Sequence, residues 1–328
     1  MLSKVLYDLC HLLSTPYDNL NLVPDMSPYI NHLILEKIYL DKLQLYKYRK
    51  FINSILENIH FTYYKYSILE NNKEIIKLKL NLRICFKLKN APTKIISSYI
   101  SEYIIILEHL QNNFKIQLLI ENEDNPILYN YLLDTPLSKI KYLKYYKDDF
   151  VIETNFPLIN STNETFNTCE SSFYLSARDR DSYSFNISSA CTYAETFALT
   201  PNPEYKYFEG IGGDCTNFAS QILYSGGLKK NKIWTPYTNS WIRVQELYSY
   251  LINNNLATKV PNASLLSKGD LIQFYTPKIG RFFHNGFITY KLPNNDCLYC
   301  CHSYNKLNYP LSEIYPNKYP TLRALRFQ

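Results

Sequence analysis

The chain has 328 residues, 46% of them hydrophobic and 20% charged, with a formal net charge of +6. That balance belongs to a globular protein long enough for two cores, and it excludes a disordered tail, a collagen-like repeat and a small disulfide scaffold. The lysines are scattered rather than gathered in a stripe, so no specific nucleic-acid partner is expected. No apolar run reaches the length of about 18 residues that membrane insertion requires.

The opening stretch MLSKVLYDLCHLLSTPYD holds one lysine, and Asp8 and His11 interrupt its apolar run. This is unlike a secretory leader, and the expected setting is cytoplasmic. Cysteines at 10, 85, 169, 191, 215, 297, 300 and 301 follow no framework spacing, which fits a reducing compartment. Between Ser27 and His60, the positions Ile34, Ile38, Leu45 and Ile52 have helical spacing, with a gap at Asp41 and Lys42. Residues 76–88 then alternate strictly: Ile76, Leu78, Leu80, Leu82, Ile84, Phe86 and Leu88 on one side, Lys77, Lys79, Asn81, Arg83, Cys85 and Lys87 on the other. The pattern predicts a long strand, half buried, with its basic face in solvent. Strands at 98–109 and 113–121 flank Gln111-Asn112-Asn113 as a hairpin. Residues 1–157 thus read as an α+β domain, a helix followed by an antiparallel meander, with further helical potential in SKIKYLKYYKDD. Residues 158–186 are polar and aperiodic and read as a linker.

A second domain is expected at 187–328. SSACTYAETFAL predicts a helix stopped by Thr200-Pro201-Asn202-Pro203. GIGGDCTNFASQ follows at 210–221, with three of the chain's 8 glycines directly before Asp214-Cys215. Phe218 and Ile222 are spaced as one helical face and Gly226-Gly227 can end it. Cys215 therefore falls in the first turn of a helix, where the dipole and unpaired N–H groups favour a thiolate. The plain alternative is a small apolar residue opening a buried helix. Asp214 is expected to cap the helix or fix the turn. Trp241, Val244, Leu247 and Tyr248 fit the buried face of the next helix, while Trp234 fits burial or a cleft wall.

Three strands follow at 265–276, 281–290 and 297–305, the first after a turn at Lys268-Gly269-Asp270. A thiolate nucleophile needs a base and a group that orients the base. His284 and His302 are the two histidines of this domain, and neighbouring strands would set them side by side. Otherwise His284 is a core histidine among Phe282, Phe283 and Phe287, and His302 merely ends a strand. Cys297 and Cys300 in CLYCCH point to opposite faces of a regular strand, so no metal site is expected, and no cofactor is implied.

The blocks GGDCTNFASQILYSGG, NSWIRVQELYSYL, KGDLIQF, HNGFITY and HSYNKLNYPLSE, in that order, resemble the bacterial putative amidase domain family. That family is related to the papain-like cysteine hydrolases, with NlpC-type and CHAP-type cell-wall peptidases as relatives. The resemblance covers about 187–328. It implies a papain-like, NlpC-like fold, with the cysteine helix packed on a small antiparallel sheet. It further implies Cys215 as nucleophile, His284 as general base, and His302 or Asn305 in the third position. Gly213 and Asp214 would position the thiol, and the backbone N–H of Cys215 would meet the oxyanion. Tyr205 or Tyr207 in NPEYKYFEG is the candidate second donor. The implied substrate is an amide in a peptide or in peptidoglycan; an intracellular peptide, or an idle wall-binding or interaction module, are the alternatives. Asn285 stands where relatives usually carry a small aliphatic residue, and alternation along the strand leaves it room to point away from the site.

Overall fold

The computed structural model describes residues 1–140, 143–145, 150–152 and 184–328, apart from 112, 209, 211 and 278. Residues 158–183 of the expected linker lie outside them. The chain forms two compact units, one from Met1–Leu43, Tyr64–Leu82 and Glu102–Leu175, the other from Gln44–Tyr63, Arg83–Ser101 and Ser176–Gln328. Residues before 157 thus contribute to both.

The N-terminal elements are α1 (Leu2–Ser14), α2 (His32–Phe51), β1 (Leu56–Asn71), β2 (Ile75–Leu88), β3 (Ser97–Leu110), β4 (Asn113–Glu121) and α3 (Pro126–Asp134). In the first unit β3 and β4 form the expected hairpin, pairing from Tyr103↔Glu121 to Leu110↔Asn113. Ile104, Ile106, Leu118 and Ile120 close its core against Leu128, Tyr129 and Leu132 of α3. Leu78, Leu80 and Leu82 are fully buried, as their alternation requires.

Three expectations change here. The basic face of β2 is not in solvent: Lys77 is buried and donates to the carbonyl oxygens of Leu132 (3.1 Å) and Thr135 (2.7 Å), the orphan acceptors at the end of α3. Lys79 pairs with Glu102 at 2.9 Å. The helix expected up to His60 stops at Phe51, with Asn53 at φ 54, and β1 starts at Leu56. The run HFTYYKY is aromatic and β-branched, and strand propensity wins there. SKIKYLKYYKDD is not an α-helix in its described part; a 3-10 turn at Leu137–Lys139 leads into β5 (Leu143–Tyr145), which pairs with β6 (Phe150–Ile152).

The second unit adds α4 (Ile187–Phe197), α5 (Cys215–Ser225), α6 (Asn239–Ile242), α7 (Val244–Asn253), β7 (Ala257–Val260), β8 (Leu271–Thr276), β9 (Arg281–Lys291), β10 (Cys297–Cys301), β11 (Lys306–Pro310) and β12 (Thr321–Phe327). Its strands lie in the order β1-β2-β3-β11-β10-β9-β8-β12-β7, and each pair from β3–β11 to β12–β7 is antiparallel. This is an α+β arrangement. Phe218, Ile222, Trp234, Trp241, Leu247, Phe287 and Cys300 share one core. Ile272, Phe274, Ile288, Cys297 and Tyr299 share another. Cys297 and Cys300 thus enter different cores, as alternation along β10 demands. Both tryptophans are fully buried, which decides Trp234 against a cleft wall. Each indole N–H finds an acceptor on α5: Trp234 on Ser220 Oγ (3.2 Å) and Trp241 on Asn217 Oδ1 (2.9 Å).

Candidate active site

The helix α5 begins at Cys215 and is buried along its length from Cys215 to Leu223. Gly213 has φ +91, and a Cβ there would meet Ser303 Oγ at 3.0 Å. A side chain would be strained both ways, and Gly213 lets the Asp214 N–H reach Ser303 Oγ at 2.6 Å. Asp214 is the N-cap residue, yet its carboxylate makes no capping bond to the helix. Its Oδ1 accepts from the Phe208 N–H (3.0 Å) and Asn217 Nδ2 (2.8 Å), and its Oδ2 faces His302 Nδ1 at 2.6 Å. Asp214 therefore fixes the turn rather than capping the helix.

His302 is buried, stacked on Phe218 with ring centroids 3.7 Å apart and planes 6° from parallel. Its second nitrogen, Nε2, faces the carbonyl oxygen of Phe197 at 2.7 Å. Both ring nitrogens thus have a partner within hydrogen-bond distance. From the sequence, His302 is expected beside His284 as its orienting group. The structure instead spends both nitrogens on Asp214 and Phe197, so His302 locks the turn before Cys215. Asn305 lies in the turn after β10, where its carbonyl oxygen accepts from the Ile100 N–H at 2.9 Å. Tyr205 stacks on Trp241 at 6.1 Å, and Tyr207 meets His302 edge-on at 5.8 Å.

The Cys215 sulfur lies 3.9 Å from the carbonyl oxygen of Phe283 and 3.8 Å from Thr216 Oγ1. The start of α5 therefore abuts β9 at the residue before His284. The His284 ring packs on Phe274 at 5.6 Å and lies 5.6 Å from the ring of Tyr304, in the same turn as Ser303. Burial pushes the Cys215 thiol above its ordinary value, and the charge of Asp214 acts in the same direction. Hydrogen bonds from the Asn285 backbone, the Thr216 hydroxyl and, more weakly, the Asn285 side chain oppose this. Desolvation is the largest of these effects, and it favours the neutral thiol.

Asn285 does not point away. It is buried against α5, and its Nδ2 donates to Thr216 Oγ1 at 2.8 Å. Its Oδ1 accepts from Gln273 Nε2 at 2.7 Å, while Gln273 Oε1 accepts from Arg323 Nε at 2.7 Å. Sequence reasoning missed Thr216, Gln273 and Arg323 because each is an ordinary polar residue whose partner lies on another strand or helix. The glycine turn and the histidine strand single out Cys215 and His284 as candidates in the sequence.

The chain is 34% identical over 130 residues to the uncharacterized protein YjcM of Bacillus subtilis (strain 168), covering 37% of this chain and 31% of that one. It is 32% identical over 119 residues to the uncharacterized protein YhbB of the same organism, covering 32% of this chain and 37% of that one. The chain thus spans about a third of the length of the curated relatives it matches. No solved structure matches it. Residues 184–323, which hold the Cys215 helix, the strand bearing His284 and the turn bearing His302, match the family described as the putative amidase domain.

Proposed function

We propose that the second unit is a cysteine-dependent amide hydrolase of the papain-like, NlpC-like kind, with Cys215 as nucleophile and His284 as general base. The observation that carries this reading is the Cys215 sulfur on the first turn of α5, 3.9 Å from the carbonyl oxygen that precedes His284. The match of residues 184–323 to an amidase family supports the reaction class.

Because burial keeps the thiol neutral, the base must act as the attack proceeds. His284 takes the thiol proton while sulfur bonds to the amide carbonyl carbon. The Cys215 N–H, at a helix start with no intrahelical acceptor, meets the developing oxyanion. The C–N bond then breaks and His284 delivers the proton to the leaving amine. Water, deprotonated by the same imidazole, hydrolyses the thioester, releasing a carboxylic acid and restoring the thiol. The Asp214–His302 pair keeps the helix start in place.

The substrate we favour is a peptide amide of peptidoglycan. Purified peptidoglycan is digested with the parent chain and with Cys215→Ala, and new amine and carboxyl ends are identified by mass spectrometry. New ends with the parent only are the expected result. Ends made equally by Cys215→Ala would exclude the thiol mechanism.

A further inference from the structure

The polar residues beneath Cys215 are joined in a single direction. Arginine can only donate, so Gln273 must turn its Oε1 toward Arg323 and its Nε2 toward Asn285 Oδ1. Asn285 must then donate through Nδ2 to Thr216 Oγ1. With one lone pair of Thr216 thus occupied, its hydroxyl proton is left to give away, and Cys215 sulfur is 3.8 Å from that oxygen. Gln273, Asn285 and Thr216 are all buried.

Arg323, the head of the chain, is itself fixed. Its guanidinium lies 3.5 Å from the ring centre of Tyr248 and 4.0 Å from that of Phe282, and its Nη2 donates to Gln245 Oε1 at 2.6 Å. Burial brings its pKa down to about 10, which leaves it cationic at neutral pH. Gln273 Nε2 also reaches the carbonyl oxygen of Val244 at 3.1 Å, tying the chain to the start of α7.

We propose that Arg323, Gln273, Asn285 and Thr216 form a directed hydrogen-bond chain that presents the Thr216 hydroxyl proton to the ionised Cys215 sulfur, with Asn285 as its positioning residue. The neutral thiol donates to the Phe283 carbonyl oxygen. On losing its proton the sulfur becomes an acceptor, and the Thr216 hydroxyl turns to it beside the Asn285 backbone N–H. Among the described residues, the charged group acting on the thiol is Asp214, paired with His302, and His284 follows the residue whose carbonyl oxygen the sulfur faces. The chain adds a neutral donor to that set without adding charge. This inference rests on Cys215 being the nucleophile, and its test separates the two.

The measurement is the pH profile of Cys215 alkylation by iodoacetamide, followed by peptide mapping, on the whole chain. Asn285→Val removes the link together with the amide's own contact to the sulfur, and Gln273→Glu tests the direction of the chain with Asn285 in place. Gln273→Glu keeps the shape and pairs with Arg323, but a carboxylate cannot donate, so the Asn285 amide turns over and Thr216 must donate to Asn285 instead. Gln245→Glu adds the same charge beside Arg323 and leaves the chain intact. Asn285→Val and Gln273→Glu are each expected to raise the profile's midpoint by about one pH unit, a tenfold loss of thiolate at neutral pH. The rate itself falls only about three- to fourfold, because a less acidic thiolate is intrinsically more nucleophilic. Gln245→Glu is expected to leave the midpoint in place. Parent-like profiles for both chain variants, or equal shifts in all three, overturn the chain. A parent in which Cys215 resists labelling over the whole range overturns the nucleophile reading as well.

Discussion

His302 offers the sharpest test of the reasoning about this site. Replacing it with alanine removes the 2.6 Å contact to Asp214, the 2.7 Å contact to the Phe197 carbonyl and the stack on Phe218. The carboxylate left behind is buried and keeps only the Phe208 N–H and Asn217 Nδ2. Breaking one side of a buried pair costs about 3–5 kcal/mol. That is a large part of a typical stability of about 5–15 kcal/mol. It corresponds to a fall in melting temperature of roughly 6–20 °C. The chain's 2 tryptophans, Trp234 and Trp241, both lie in the core beside α5, so tryptophan fluorescence reports on this unit. A double-mutant cycle with Asp214→Ala isolates the pair, and urea titrations should give a coupling of about 2–3 kcal/mol. A coupling below about 0.5 kcal/mol would refute the view that His302 acts through Asp214.

Cys215→Ala should abolish amide hydrolysis while leaving the fluorescence-detected melt nearly unchanged, and His284→Ala should lower turnover by about 100- to 10,000-fold; hydrolysis retained in either variant counts against the assigned role. Stability should fall at high pH. Burial raises Cys191 and Cys297 from 9.0 to about 11, so their contribution is whole below pH 9 and is lost as pH rises toward 11. The slope is about 1.4 kcal/mol per thiol per pH unit, and Cys297→Ala should flatten it in urea titrations. Gly286→Ala should destabilise by about 1–3 kcal/mol, because the new Cβ would lie 2.7 Å from the Tyr299 ring and 3.2 Å from Ile272. An unchanged urea midpoint would show that β9 can shift to admit it.

Periodicity made α4, α5, β2, β3, β4 and β8 to β10 legible before any coordinates, since each repeats every two or every 3.6 residues against a core. The glycine turn located Cys215 at a helix start. What stayed hidden was the partner of each polar side chain. His302 and Asp214 are 88 residues apart, and nothing in either neighbourhood says which way the imidazole turns. Alternation along β9 does not say that the Asn285 side chain meets Thr216 of α5. Lys77 reads as a solvated charge because its acceptors, the last carbonyls of α3, appear only once that helix is placed.

The sheet of the second unit has a consequence for how the chain folds as it is made. Lys306 of β11 pairs with Tyr99 of β3, a separation of 306 − 99 = 207 residues. Ser97 Oγ donates to the Asn308 carbonyl oxygen at 2.6 Å, and Arg49 reaches Glu313 at 2.6 Å. At roughly 5–20 residues per second, β3 waits about 10–40 s on the ribosome before its partner strand exists. During that time an apolar edge stands open to wrong partners, so this protein is expected to lean on chaperones during synthesis. For the same reason, residues 184–323 released alone would carry β11 without β3 and expose that edge permanently.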